Sequence, residues 1–364
     1  MTFSLPDAWL ATEPLERAHA LPAPLYTDEN VLAAEQQLVF ARSWQLVAHA
    51  EAVANAGDHV VAEIGRTPIV VVRGADGELR GFHYVCRHRA GPIALCDGKG
   101  AKNLSCKYHG WTYTLDGRLR GAPEMDGAHD FARDSIRLPA IRVHVFGPFV
   151  FAALDEHTPP FADVFAGIEH RLAANGVTSA RFDRRVGYEV ACNWKVYVDN
   201  FLEGYHLPHV HPGLAKLLDY RQYTTGLARW SSLQSSPLRG DGNFYGAGTS
   251  GDAGAFYWFV YPNTMLNCLP GRLQSNRVVP LGKDRCRVDF DYFYPGGGDA
   301  QELARRQQDL AFSDEVQAED ITICEAVQRG LQSGSYHAGR LCPAREAGVK
   351  HFHDLLRAAY RGVP

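Results

Sequence analysis

Cys86-Arg87-His88 and Cys106-Lys107-Tyr108-His109 each set a thiol and an imidazole close together, with seventeen residues between His88 and Cys106. Two cysteines and two histidines are the ligand set of a [2Fe–2S] cluster in which imidazoles replace thiolates on one iron. That replacement raises the reduction potential. A structural zinc site uses the same residue types. Zinc fingers of this composition usually keep both cysteines in one half and both histidines in the other. Here each half has one of each, which favours the iron–sulfur reading.

A second cluster runs from Asn193 to His211 (NWKVYVDNFLEGYHLPHVH). On a helix, Asp199, Glu203 and His206 fall at i, i+4 and i+7, hence on one face. Pro208 predicts the end of that helix, so His211 can turn back toward His206. Two histidines and one carboxylate, with coordination positions left open, form the facial triad of non-haem Fe(II) oxygenases. Positions 313–331 (SDEVQAEDITICEAVQRGL) offer the best source of the carboxylate. On an ideal helix Val316, Ile323, Cys324, Val327 and Leu331 make an apolar stripe, with Asp320 near its middle. A carboxylate there is costly unless it is paired or metal-bound. Asp320 is therefore read as the third ligand, with a buried salt bridge as the alternative. Glu319 and Asp314 are read as solvated.

These side chains need a scaffold. Four prolines in positions 6–24 lead into a helix expected over 28–43. Short strands follow, among them the β-branched run 67–73, with a turn at 74–77 and a second strand ending at Cys86. Residues 111–115 read as a strand closed by Asp116-Gly117, a hairpin signal. Each Cys/His pair then lies on a loop beside a hairpin. The strand-rich part closes near 149–154, and Pro159-Pro160 marks a linker. Beyond it, 255–261, 276–280 and 286–294 read as strands, the last with Val288, Phe290, Tyr292 and Tyr294 on one face. Positions 196–206, 300–331 and 344–359 read as helices. Strands and helices in separate runs predict an α+β chain, with an antiparallel sheet carrying helices. The expected divisions are an arm and helix over 1–43 that packs with the last domain, a β-sheet domain over 44–155 and a catalytic domain over 156–364.

Composition narrows the function classes. A chain of 364 residues with 46% hydrophobic and 21% charged residues is long enough for two cores. A net charge of −4 supplies no basic field, which argues against nucleic acid or an anionic membrane as partner. The first residues show neither a basic n-region nor a long apolar run, and no stretch has the length of a membrane span. Cys96, Cys192, Cys268, Cys286, Cys324 and Cys342 are read as reduced thiols of a cytoplasmic protein.

The motifs CRHR…CKYHGW, NWK…DNFLEGYH…H and EDITICEAVQRGL together resemble the α subunit of a Rieske non-haem iron oxygenase. The resemblance implies a Rieske domain followed by a helix-grip catalytic domain, assembled as a homotrimer. It implies one [2Fe–2S] cluster held by Cys86, His88, Cys106 and His109, with the cysteines on one iron and the histidines on the other. It also implies one mononuclear Fe(II) held by His206, His211 and Asp320. Glu203 matches the acidic residue that joins a cluster histidine of one subunit to an iron-ligating histidine of its neighbour. A separate NAD(P)H-dependent flavin or iron–sulfur reductase would supply the electrons that reduce O₂.

The segments Tyr257–Asn267 (YWFVYPNTMLN), Asn276–Gly282 (NRVVPLG) and Gly339-Arg340-Leu341 resemble the branch with choline, glycine betaine and carnitine oxygenases. A quaternary ammonium is held well over aromatic faces. Phe244, Tyr245, Phe256, Trp258, Tyr261 and Tyr292 are the candidates, against the reading that they are core packing. Hydroxylation or N-demethylation of a small quaternary ammonium compound is thus the expected reaction. Ring or aromatic-acid hydroxylation is the alternative. An electron carrier without oxygenase activity and a zinc-stabilised scaffold are the readings from other classes.

Overall fold

The computed structural model describes residues 3–174, 180–239, 245 and 254–362. It divides into two compact units, Phe40–Thr158 and Met1–Val39 with Pro159–Pro364.

The first unit is built from β1 (Gln45–His49), β2 (His59–Ile64), β3 (Thr67–Arg73), β4 (Leu79–His83), β5 (Leu104–Ser105), β6 (Thr112–Tyr113), β7 (Leu119–Gly121), β8 (Ala140–Phe146) and β9 (Phe149–Ala153). A six-stranded antiparallel sheet has the order β1-β9-β8-β4-β3-β2, and a small sheet has the order β5-β6-β7. The β-branched run places Ile69, Val70, Val71 and Val72 fully out of water, as a strand covered on both faces requires. Gly117 takes φ +86° in the expected turn, and a Cβ there would press 2.6 Å from the Phe82 ring. Val70, Val72 and Phe82 of the large sheet pack with Leu104, Tyr113 and Leu119 of the small one. Cys86, Cys106 and Trp111 complete that core.

The second unit contains β10 (Arg181–Val190), β11 (Thr224–Ala228), β12 (Ser231–Pro237), β13 (Gly254–Val260), β14 (Thr264–Leu269), β15 (Arg272–Gly282) and β16 (Arg285–Tyr294). They form one antiparallel sheet, β10-β16-β15-β14-β13-β12-β11. Helices Trp194–Phe201, Ala300–Gln332 and Ala347–Tyr360 pack with it. The long helix starts where the Asp299 side chain accepts from Glu302 N at 2.9 Å. Glu302 then bonds Arg305 and Arg306 at the i+3 and i+4 spacings that stabilise a helix surface.

Two expected helices come out differently. The N-terminal one is α-helical over Glu29–Glu35 and continues as a π turn over Gln36–Phe40. The helix expected over 196–206 ends at Phe201. Beyond it the Glu203 carboxylate turns back and accepts from the backbone N–H groups of Tyr205 and His206. A Cβ on Gly204 would meet the Tyr223 ring at 2.8 Å, so the chain passes where only glycine fits. Pro208 does not terminate this helix; it opens a further short one, Leu207–Val210, where its missing N–H costs nothing.

Candidate metal centres and substrate cavity

In the first unit, Cys86 and His88 follow β4, while Cys106 and His109 join β5 to β6. The two loops share a backbone design. Ala90 N donates to Cys86 O at 3.0 Å, and Gly110 N donates to Cys106 O at 3.1 Å. Each turn closes through a left-handed residue, Ala90 at φ +54° and Gly110 at φ +73°. Cys86 N and Cys106 N are tied to Gly91 O and Trp111 O, both at 2.8 Å. Both cysteines are buried and both histidines are exposed. The His88 and His109 rings lie 4.6 Å apart, with His88 stacked on Trp111 at 4.9 Å. Desolvation, with the nearby His88 and Arg89 charges, holds the His109 pKa below its ordinary value and favours the neutral imidazole that a metal needs. The donor set suits a cluster whose thiolate iron is sunk in the core and whose imidazole iron meets the surface.

Tyr113, unremarked in the sequence reading, completes this site. Its hydroxyl lies 3.1 Å from Cys86 Sγ and accepts from Arg87 N at 2.9 Å. Burial pushes the phenol pKa up, so it stays protonated and donates to the sulfur. Hydrogen bonds to ligand sulfurs stabilise the reduced cluster. Tyr113→Phe is therefore expected to keep the cluster and lower its potential by roughly 20–60 mV, the value of one net hydrogen bond. Spectroelectrochemical titration reads this directly, and an unchanged potential would refute the bond to sulfur.

In the second unit, His206, His211 and Asp320 bring one ligand atom each within 4.8 Å of the others. His211 Nε2 lies 3.0 Å and His206 Nε2 3.9 Å from Asp320 Oδ1. The far side of each ring is fixed by a carboxylate. Glu203 Oε1 accepts from His206 Nδ1 at 2.7 Å, and Glu319 Oε2 accepts from His211 Nδ1 at 2.7 Å. These bonds set the tautomer that aims both Nε2 lone pairs at one point beside Asp320. Burial works against a charged His211, yet Asp320 and Glu319 outweigh it and lift its pKa. The two carboxylates that favour positive charge at His211 also suit a divalent cation. Asn200 Nδ2 donates to Asp320 Oδ1 at 2.5 Å and fixes that carboxylate. His209 is exposed and does not join the group.

Two expectations need correcting here, for Glu319 and Asp199. Glu319 is only partly solvated: its longer side chain reaches the opposite nitrogen of the imidazole that Asp320 faces. Asp314 is exposed, as expected, and accepts a hydrogen bond from the Tyr188 hydroxyl. Asp199 shares no helical face with Glu203, because the helix has already ended. It accepts instead from Tyr26 OH at 2.6 Å and lies 2.9 Å from His353 Nε2.

A cavity opens on the triad, walled by Phe201, Tyr223, Tyr257, Phe290 and Phe312. Of the five aromatic candidates among the described residues, only Tyr245 lines it. Strand alternation explains the difference, since Tyr257 points inward while Phe256 and Trp258 stack on each other at 5.9 Å. Tyr261 packs near Trp230 and Phe352, and Tyr292 OH donates to Ser313 at 2.8 Å. Phe244 lies outside the described residues. The polar floor consists of Asn267, Arg272, Gln274 and Asn276. Arg272 Nη1 donates to Asp309 Oδ1 at 2.8 Å, and both residues are buried. Losing one partner of such a pair costs about 3–5 kcal/mol.

Residues 177–362 match the family model of the ring hydroxylating alpha subunit (catalytic domain), and residues 43–139 match that of the Rieske [2Fe-2S] domain. The chloroplastic choline monooxygenase of Arabidopsis thaliana is 38% identical over 94% of this chain and 83% of its own. The carnitine monooxygenase oxygenase subunit of Escherichia coli (strain K12) is 31% identical over 99% of this chain and 98% of its own. A solved structure of a quaternary ammonium Rieske monooxygenase superposes with a TM-score of 0.88 at 27% identity, covering 99% of this chain and 100% of that one. Naphthalene 1,2-dioxygenase from Rhodococcus sp. has the same fold, with a TM-score of 0.79 at 19% identity, covering 94% of each chain.

Proposed function

Because this chain belongs to the Rieske ring-hydroxylating oxygenases, an oxidoreductase family with a [2Fe–2S] cluster and a mononuclear iron, we propose that it is the terminal monooxygenase acting on a small quaternary ammonium compound. The observation that carries the reading is the aromatic cavity opening directly on the two-histidine, one-carboxylate group. Trimethylammonium groups are weakly hydrated and gain from aromatic faces. The relatives named for choline and carnitine oxidation support the same class.

In this reading His206, His211 and Asp320 hold the iron, and Cys86, His88, Cys106 and His109 hold the cluster. The bound iron supplies O₂ activation, and the cluster supplies an electron. Glu203 and Glu319 keep the two imidazoles oriented, and Asn200 keeps Asp320 from swinging away. The aromatic walls exclude water and hold the cationic head beside the triad. One oxygen atom enters a C–H bond next to nitrogen, and the other leaves as water with two electrons from a separate reductase and two protons.

Assembly is part of the proposal. Glu203 and His206 also line a second hollow with Asp199, Glu346 and His353. Around this hollow Val327 and Tyr336 are exposed, and Tyr205 beside His206 is exposed too. Apolar surface beside a redox ligand suits a docked second copy whose exposed His109 meets Glu203. A trimer closed head to tail repeats that contact at every subunit.

Oxygen uptake with a generic reductase tests the substrate class. Choline-, betaine- or carnitine-type compounds are expected to stimulate uptake and give an aldehyde, or formaldehyde with a demethylated amine. A phenol or cis-diol from an aromatic acid, with no response to the ammonium compounds, would replace this reading.

A further inference from the structure

Arg272 is buried at the cavity floor with only part of its hydrogen-bonding capacity in use. Its Nη1 donates to Asp309 Oδ1 at 2.8 Å and to Tyr245 OH at 3.4 Å. Its Nε is buried without a partner. Nη1 is thus committed, while the edge formed by Nε and Nη2 is not. That edge carries two parallel N–H groups and matches a carboxylate bidentately. Asp309 does not cancel the charge locally, because its anion is shared. Tyr294 OH donates to Oδ2 at 2.5 Å, and Tyr245 OH donates to Oδ1.

The neighbours of Arg272 have the opposite polarity. Asn267 and Gln274 face each other across β14 and β15, and Asn267 Oδ1 and Gln274 Oε1 are buried acceptors without donors. The Gln274 amide is oriented by its bond from Nε2 to Asn276 Oδ1 at 2.8 Å. Carbonyl oxygens repel a carboxylate and attract the positive methyl groups of an ammonium. Arg272, Gln274 and Asn276 alternate along β15 and all face the cavity. Arg272 and Asn276 are thereby separated by about 13 Å of strand, the reach of a short flexible molecule.

Resting on the quaternary-ammonium reading above, we infer that the substrate is a zwitterion whose carboxylate binds the free edge of Arg272. The amide oxygens and aromatic rings hold its cationic head. Choline, which ends in a neutral hydroxyl, could accept from one of those N–H groups but could not pair both or neutralise the charge. A site built to bond a group rejects analogues that lack it.

The test uses calorimetric binding to the holoenzyme with γ-butyrobetaine, its methyl ester, choline and benzoate. The ester keeps the cation and the chain but removes the negative charge. The acid is expected to bind tighter than the ester and than choline by on the order of 10–100-fold, the worth of a charged hydrogen-bonded contact. Arg272→Gln alone would strand Asp309, so the informative variant is Arg272→Gln with Asp309→Asn. An unchanged cluster spectrum and melting temperature verify its fold. In that variant the preference for acid over ester is expected to vanish while the ester still binds. Equal affinity of acid and ester for the wild type, or a preference that survives in the double variant, overturns the inference. If benzoate binds and none of the ammonium compounds does, the substrate class fails and the zwitterion with it, an outcome distinct from equal binding of acid and ester.

Discussion

Alanine at Asp320 is expected to empty the mononuclear site and end oxygenation while the [2Fe–2S] spectrum stays unchanged. Asp320 supplies the only carboxylate among the three ligand atoms that converge within 4.8 Å. Its loss leaves two neutral imidazoles facing the metal, so the loss of activity should exceed the ~10–100-fold typical of residues one layer out. Iron analysis and dithionite reduction separate the two centres, because their ligands sit in different units of the chain. Glu319→Gln gives the graded comparison. It keeps the length of the side chain but weakens the bond to His211 Nδ1, so iron affinity is expected to fall by about 10–100-fold. Iron retained in Asp320→Ala but lost completely in Glu319→Gln would reverse the two roles.

The pair Asp320 and Glu319 also shows what a sequence can and cannot convey. Asp320 stands out because a short carboxylate interrupts an apolar stripe, a conflict visible in one dimension. Glu319 sits off that stripe, and only the three-dimensional approach of His211 reveals the partner for its longer side chain. The Cys/His pairs were legible because their spacing is local and each ligand lies within three residues of another. Tyr113 is local too, but an aromatic in a strand is ordinary core until its hydroxyl is placed 3.1 Å from a sulfur. Strand β16 was legible from the alternation of Val288, Phe290, Tyr292 and Tyr294, and β13 from its run of aromatic and β-branched residues. Which face of β13 meets the cavity was not, because Tyr257, Trp258 and Phe259 are all aromatic and offer no polar partner to mark the outside. The helix ending at Phe201 was overrun for a different reason. Glu203 looks helical by spacing, and nothing in the sequence shows its carboxylate folding back onto Tyr205 N and His206 N.

That fold-back makes Glu203 the more demanding test. Its Oε1 already accepts from His206 Nδ1 at 2.7 Å, and the same residue lines both the cavity and the second hollow. A carboxylate oxygen can accept more than one hydrogen bond, so Oε1 of Glu203 can take a second, from His109 of a neighbouring chain. Glu203→Gln keeps the size but removes the charge and presents an N–H where an acceptor is needed. The expected variant has near-normal iron content and cluster spectrum but reoxidises its cluster more slowly by at least ~10–100-fold. Stopped-flow absorbance on the reduced, substrate-bound enzyme measures that step apart from substrate binding. Mixed assemblies then decide whether the electron crosses between chains. One chain carries Cys106→Ser, which cannot hold the cluster, and the other carries Asp320→Ala, which cannot hold the iron. Each alone is inactive, but together they are expected to regain activity, because each supplies the centre that the other lacks. No recovery in verified mixed assemblies would confine electron transfer to a single chain. Glu203 would then be left with one task, the orientation of His206.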